Sequence, residues 1–120
     1  MASKRQLQVA EMIKRNFGIV LREKGSYIYG AEPFVTVTQV QTTPDLSIAK
    51  IYLSIYNIED KDDVLIQIER EMHGLKQELA YRIRKHVRRI PDISVFLDDT
   101  LDEMEKLNQL FDEIKDKKES

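Results

Sequence analysis

Five cations crowd one short stretch of this sequence: Arg82, Arg84, Lys85, Arg88 and Arg89, with no acid between them. Guanidinium groups offer a planar fork of donors that matches phosphate oxygens and stacks on bases. A bank of them therefore suits a nucleic-acid backbone, which it would hold without choosing a sequence. Treated as one helix from Leu75 to Ile90, the stretch places Leu79, Ile83, Val87 and Ile90 within about 80° of arc. The five cations then fill roughly 160° on the other side. Surface helices commonly pair such cations with Glu at i,i+4, and four of these five have no such partner within the helix. The plain alternative is a solvated outer face.

Further cations stand near the N-terminus. Lys4, Arg15 and Arg22 lie almost opposite Ile13 on a first helix, with Arg5 beside them. They would join the first bank if the two helices pack side by side. Two basic helix faces in one domain raise the case for phosphate contact. Tyr52 and Tyr56 share one face of a strand, where they either stack bases or pack under a helix.

Other chemistries find little material. There is no cysteine, which excludes disulfides, zinc thiolates and thiol nucleophiles. His73 and His86 are isolated on helices and make no metal site. Asp98 and Asp99 point to opposite faces of a strand and sit near a helix start, where acids serve as caps. No serine occupies a nucleophile elbow, and Gly25 and Gly30 are wrongly spaced for a phosphate loop. We therefore expect no enzyme, no cofactor and no small-molecule substrate.

The elements that must position the cations follow from periodicity. Ser3 and Gln6 have capping-box spacing, and Val9, Ala10, Ile13, Phe17, Val20 and Leu21 form the apolar stripe of a first helix that ends at Gly25. Gly25 to Pro33 is expected as a loop. Phe34 to Thr43 is a Val/Thr-rich strand whose alternation slips near Gln39, as at a bulge. Pro44 and Asp45 mark a turn into a second strand, where Ala49, Ile51, Leu53 and Ile55 alternate with Lys50, Tyr52, Ser54 and Tyr56. These two strands should pair antiparallel.

Acids at Glu59–Asp63 suit a helix N-terminus, and Leu65, Ile68, Met72 and Leu75 carry that helix into the basic one, with a kink or a close approach at Gly74. Pro91 stops the basic helix, and Ile93, Val95 and Leu97 alternate with Ser94, Phe96 and Asp98 in a third strand. Thr100 and Glu103 open a final helix carrying Leu101, Met104, Leu107, Phe111 and Ile114. Helices segregated from three strands define an α+β domain.

The totals agree with one domain over residues 1–114 and a fraying tail over 115–120. Hydrophobic residues make up 42% of the 120, and the formal net charge is -2. That small total hides a separation of charge, since acids dominate Glu59–Asp63 and everything after Asp98. No apolar run approaches the ~20 residues of a membrane span, and the start lacks a signal-peptide core. A soluble, cytoplasmic monomer is the expectation.

The order of elements and several motifs resemble the ribosome-binding factor A family, bacterial assembly factors for the small ribosomal subunit. The opening helix is echoed in Arg5 and Val9-Ala10-Glu11-Met12-Ile13. The strand pair is echoed in Val35-Thr36-Val37-Thr38 with Val40, then Asp45-Leu46 and Ala49-Lys50-Ile51-Tyr52-Leu53-Ser54. The last pieces are Leu79 with Arg82, then Arg88-Arg89-Ile90-Pro91-Asp92-Ile93, Phe96 and Asp98.

The resemblance implies a type II KH-like fold, with helices packed on one face of a three-stranded sheet; the final helix would be an addition to it. It also implies binding to the small ribosomal subunit and its rRNA during late maturation, with importance at low temperature. The family lacks the Gly-x-x-Gly loop of other KH domains and carries an Ala-x-Gly kink. Here the matching positions are Met72-His73-Gly74, so the glycine is kept and the alanine is not. The rival expectation is a protein-interaction module of similar fold, using a sheet edge or the acidic last helix.

Overall fold

The first helix, α1, begins where Ser3 and Gln6 cap each other. The Gln6 amide donates to Ser3 Oγ at 3.1 Å, and the Ser3 amide donates to Gln6 Oε1 at 2.8 Å. In the computed structural model, which describes residues 2–98, α1 spans Lys4–Tyr29 and buries Val9, Ile13, Phe17, Val20 and Leu21. The expected stop at Gly25 is therefore wrong. Gly25 is buried inside the helix, and a side chain there would collide with the ring of Tyr29 one turn on. The glycine makes room for that ring, whose burial raises the phenol above its ordinary pKa of 10.0. The helix ends at Gly30, whose φ of 87° is readily available only to glycine.

The sheet contains β1 (Phe34–Thr42), β2 (Ile48–Tyr56) and β3 (Asp92–Leu97) in the order β1-β2-β3. β1 pairs antiparallel with β2, and its register shifts between Val37 and Gln39, leaving Thr38 as the extra residue. This is the slip expected from the broken alternation. The turn joining the strands is organised by Asp45, whose carboxylate accepts from Thr43 Oγ1 at 2.8 Å, Ser47 Oγ at 2.8 Å and the Ser47 amide at 3.1 Å. Those bonds, led by Ser47, lower its pKa from 3.8 to about 2.

Two helices make the crossover that sets β3 parallel to β2. α2 (Lys61–Arg70) starts at Asp60, which accepts from the Asp63 amide at 3.0 Å. α3 spans Met72–Ile83. The break between them falls at Glu71, not at Gly74, which lies in the first turn of α3 with open space around it. Turning at Glu71 lets Ile68 and Leu75 enter one core from two helices. α1 lies over β1, α2 over β3, and α3 beside α1. All cover the face of β2 that presents Ala49, Ile51, Leu53 and Ile55, each essentially without exposure.

The basic helix is shorter than expected. α3 ends at Ile83, residues 84–86 form a turn, and 87–90 are irregular. The chain must come round to the start of β3, where the Asp92 amide donates to the Ser47 carbonyl at 2.9 Å. Seven more helical residues would carry it about 10 Å further along the helix axis. Burying Val87 and Pro91 favours the earlier exit. The expected helix over 101–114 and the 115–120 tail lie outside the described residues.

Candidate nucleic-acid interface

Two long-range hydrogen bonds assemble the cations. Arg82 Nε donates to Asn16 Oδ1 at 3.2 Å, joining α3 to α1. Arg5 Nη2 donates to the His86 carbonyl at 3.0 Å, joining the start of α1 to the turn after α3. Arg5, Arg82, Arg84, Lys85, Arg88 and Arg89 are all exposed. Only Arg82 stands on the helix proper, with Arg84 at its C-cap and the other three of the run beyond it. Cations at a helix C-terminus are favoured by its dipole, which supports the run at the end of α3. The Arg84 guanidinium lies 5.1 Å from the centre of the Tyr81 ring, itself 71% exposed.

Among the described residues, the ion pair in this region joins Lys76 to Asp92 at 2.9 Å and leaves the six cations aside. Lys76, with a smaller contribution from Arg89, holds the Asp92 carboxyl below its ordinary 3.8.

The other N-terminal cations do not join this bank. Lys4, Arg15 and Arg22 share a separate stripe of α1. Arg15 and Arg22 line a cleft of about 390 Å³ between α1 and β1, together with Lys14, Glu11 and Val35 to Val37. Lys4 and Arg15 border a second recess that again includes Glu11. The expected single surface of nine cations is thus two: six beside α3, and three facing outward and toward β1, where an acid dilutes them.

The remaining candidates take structural places. His73 is exposed and its ring lies 3.2 Å from the Gln77 amide nitrogen. Asp98 accepts from Thr38 Oγ1 and donates its amide to the Leu53 carbonyl at 2.7 Å, tying the end of β3 to the bulge. Asp99 lies outside the described residues. Tyr52 and Tyr56 lie on the sheet face opposite the described helices. Tyr52 stacks on Phe96 with ring centres 5.5 Å apart and planes at 29°, and Lys61 Nζ lies 5.9 Å from the Tyr56 ring centre. Sequence reasoning missed Phe96 as a surface ring. Its one signal was alternation with Val95, which does not say which strand lies alongside.

Among the described residues these elements define a small α+β domain, three helices on one face of a mixed three-stranded sheet, with an arginine-rich flank. The family model for ribosome-binding factor A matches residues 5–111, and the chain belongs to that family. A ribosome-binding factor A from Cytophaga hutchinsonii is 37% identical over 95% of this chain and 85% of its own. One from Chlorobium phaeobacteroides is 29% identical over 93% and 95%.

Two similar structures agree on the fold. The crystal structure of ribosome-binding factor A from Thermus thermophilus superposes with a TM-score of 0.64 at 18% identity, covering 77% of this chain and 94% of that one. A Thermus thermophilus homology model fitted into a cryo-EM map of a 30S complex with ribosome-binding factor A gives 0.59 at 23% identity, covering 74% and 90%. Family and fold describe a binding factor, and no helix among the described residues is long and apolar enough to cross a membrane.

Proposed function

We propose that this protein is a non-enzymatic assembly factor that binds small-subunit rRNA during late maturation of the small ribosomal subunit. The observation that carries the reading is the flank gathered by the Arg5–His86 and Arg82–Asn16 bonds. Six exposed cations there, five of them arginines, keep their charge for an external anion. A planar guanidinium meets two phosphate oxygens at once, which fixes orientation as well as supplying attraction. The place of a related factor in a 30S map supports the choice of the small subunit as partner.

Binding through phosphates releases counterions from the RNA, so affinity should fall steeply as salt rises. Lys4, Arg15 and Arg22 form a second, weaker set of contacts at the side of α1, because Glu11 stands among them. The protein acts as a monomer in this reading and needs no cofactor.

Co-sedimentation with immature and mature small subunits across a salt series tests the proposal. Preferential, salt-sensitive binding to the immature particle is expected. In the joint variant Arg88→Ala with Arg89→Ala, the slope of log affinity against log salt should flatten by about 0.7–0.9 for each phosphate no longer neutralised. No binding at low salt, or a slope unchanged in that variant, would overturn the assignment.

A further inference from the structure

The face of the sheet turned away from the described helices carries two transverse rows. Gln39, Tyr52 and Phe96 are register partners across β1, β2 and β3, and Gln41, Lys50 and Ser94 form the adjacent row. The rows stand about 7 Å apart, two residues along each strand. Tyr52 and Phe96 stack on one another, and Phe96 keeps 41% of its surface exposed. Gln39, Gln41, Lys50 and Ser94 are exposed as well. Neither row contains an acid.

This combination differs from an apolar docking patch. Two rings supply π-faces on which bases can stack whatever their sequence. Gln39 and Gln41 each offer an amide donor and acceptor, the groups that match base edges. Lys50 places one cation beside the rings for a phosphate. The arginine-rich turn enters β3 at Asp92, an exposed acid paired with Lys76 at 2.9 Å, and Ser94 and Phe96 follow it at two-residue steps along one path. From Asp92 to Phe96 that path is about 13 Å long.

From this juxtaposition we infer that the open sheet face is a second RNA site, a stacking platform for unpaired bases, with Tyr52 and Phe96 as the platform and Lys50 as its phosphate contact. The inference rests on the RNA-binding reading above and adds to it a preference for single-stranded segments. The arginine flank alone would not discriminate them from duplex.

The test uses the full chain with a labelled single-stranded RNA of ~12 nucleotides and a duplex of equal length. Phe96→Leu keeps an apolar side chain of similar bulk and removes the ring, while Phe96→Tyr keeps the ring. The single strand should bind Phe96→Leu about tenfold or more weakly, with an unchanged salt slope, an unchanged duplex affinity and normal binding by Phe96→Tyr. Equal affinities of Phe96→Leu and the unaltered chain for the single strand would overturn the platform, as would equal losses on both RNAs. A lowered thermal midpoint with unchanged RNA affinity would assign the ring to apolar packing, or to a protein partner, and also overturn it. If the unaltered chain bound neither RNA, the functional reading itself would fall; a silent Phe96→Leu beside a flattened slope in the Arg88, Arg89 variant would remove the platform alone.

Discussion

The two faces of β2 are made from alternate residues of one strand, yet they have opposite fates. Ala49, Ile51, Leu53 and Ile55 disappear under the described helices, while on the other side Lys50 is exposed, Tyr52 and Tyr56 are half-buried and Ser54 is buried. The closed face is held by area removed from water, which needs no particular partner chemistry. The open face retains hydrogen-bonding groups, Lys50 and the Tyr52–Phe96 ring pair, with Lys61 beside the Tyr56 ring. A one-residue step along the chain thus separates the face that makes the core from the face that keeps polar groups.

The sharpest way to break that comparison is Ile51→Ala. Its side chain is wholly buried, so a cost of about 2–5 kcal/mol is expected in urea denaturation. Gln6→Ala comes next. Gln6 is buried, completes the α1 cap and donates through Nε2 to the Thr42 carbonyl at 2.9 Å, linking helix to sheet edge. Removing its amide leaves those groups unpaired and should cost about 1–3 kcal/mol by the same measurement.

On the open face, Phe96→Leu should cost no more than about 0.5–1.5 kcal/mol, the value of an aromatic pair. A cost equal to that of Ile51→Ala would show that the two faces are not energetically distinct. The smallest effect belongs to the turn at the end of the sheet. Asp45 is fully exposed, and its folded pKa lies below the unfolded one, at about 2 against 3.8. Its contribution is therefore present above about pH 4 and lost as pH falls toward about 2. Denaturation midpoints measured across that window should drop less in Asp45→Asn than in the unaltered chain.

The arginine flank shows how far the sequence could be followed. Five of its six residues were evident from the order of the sequence, because an acid-free run of cations from Arg82 to Arg89 is visible without any fold. Their carrier was not. Residues 75–90 have helical periodicity throughout, and periodicity cannot register that the chain must reach Asp92 beside Ser47. At Gly25, similarly, a glycine after two charged residues has the form of a helix stop. The ring of Tyr29 lying over it makes it part of the helix instead.

What the sequence determined by itself is local. Ser3 and Gln6 specified the start of α1, the acids of Glu59–Asp63 the start of α2, the alternation of β2 its core residues, and the broken alternation of β1 a slip near Gln39, beside the bulged Thr38. Each depends on backbone geometry within a few residues, where the period of the pattern carries the information. Tertiary structure alone decided that Arg5 joins the cations of α3 while Arg15 and Arg22 face β1, and that Phe96 lies beside Tyr52. Both outcomes depend on the crossover through α2 and α3, which brings distant residues together by burying their neighbours, and no local period encodes which neighbours those will be.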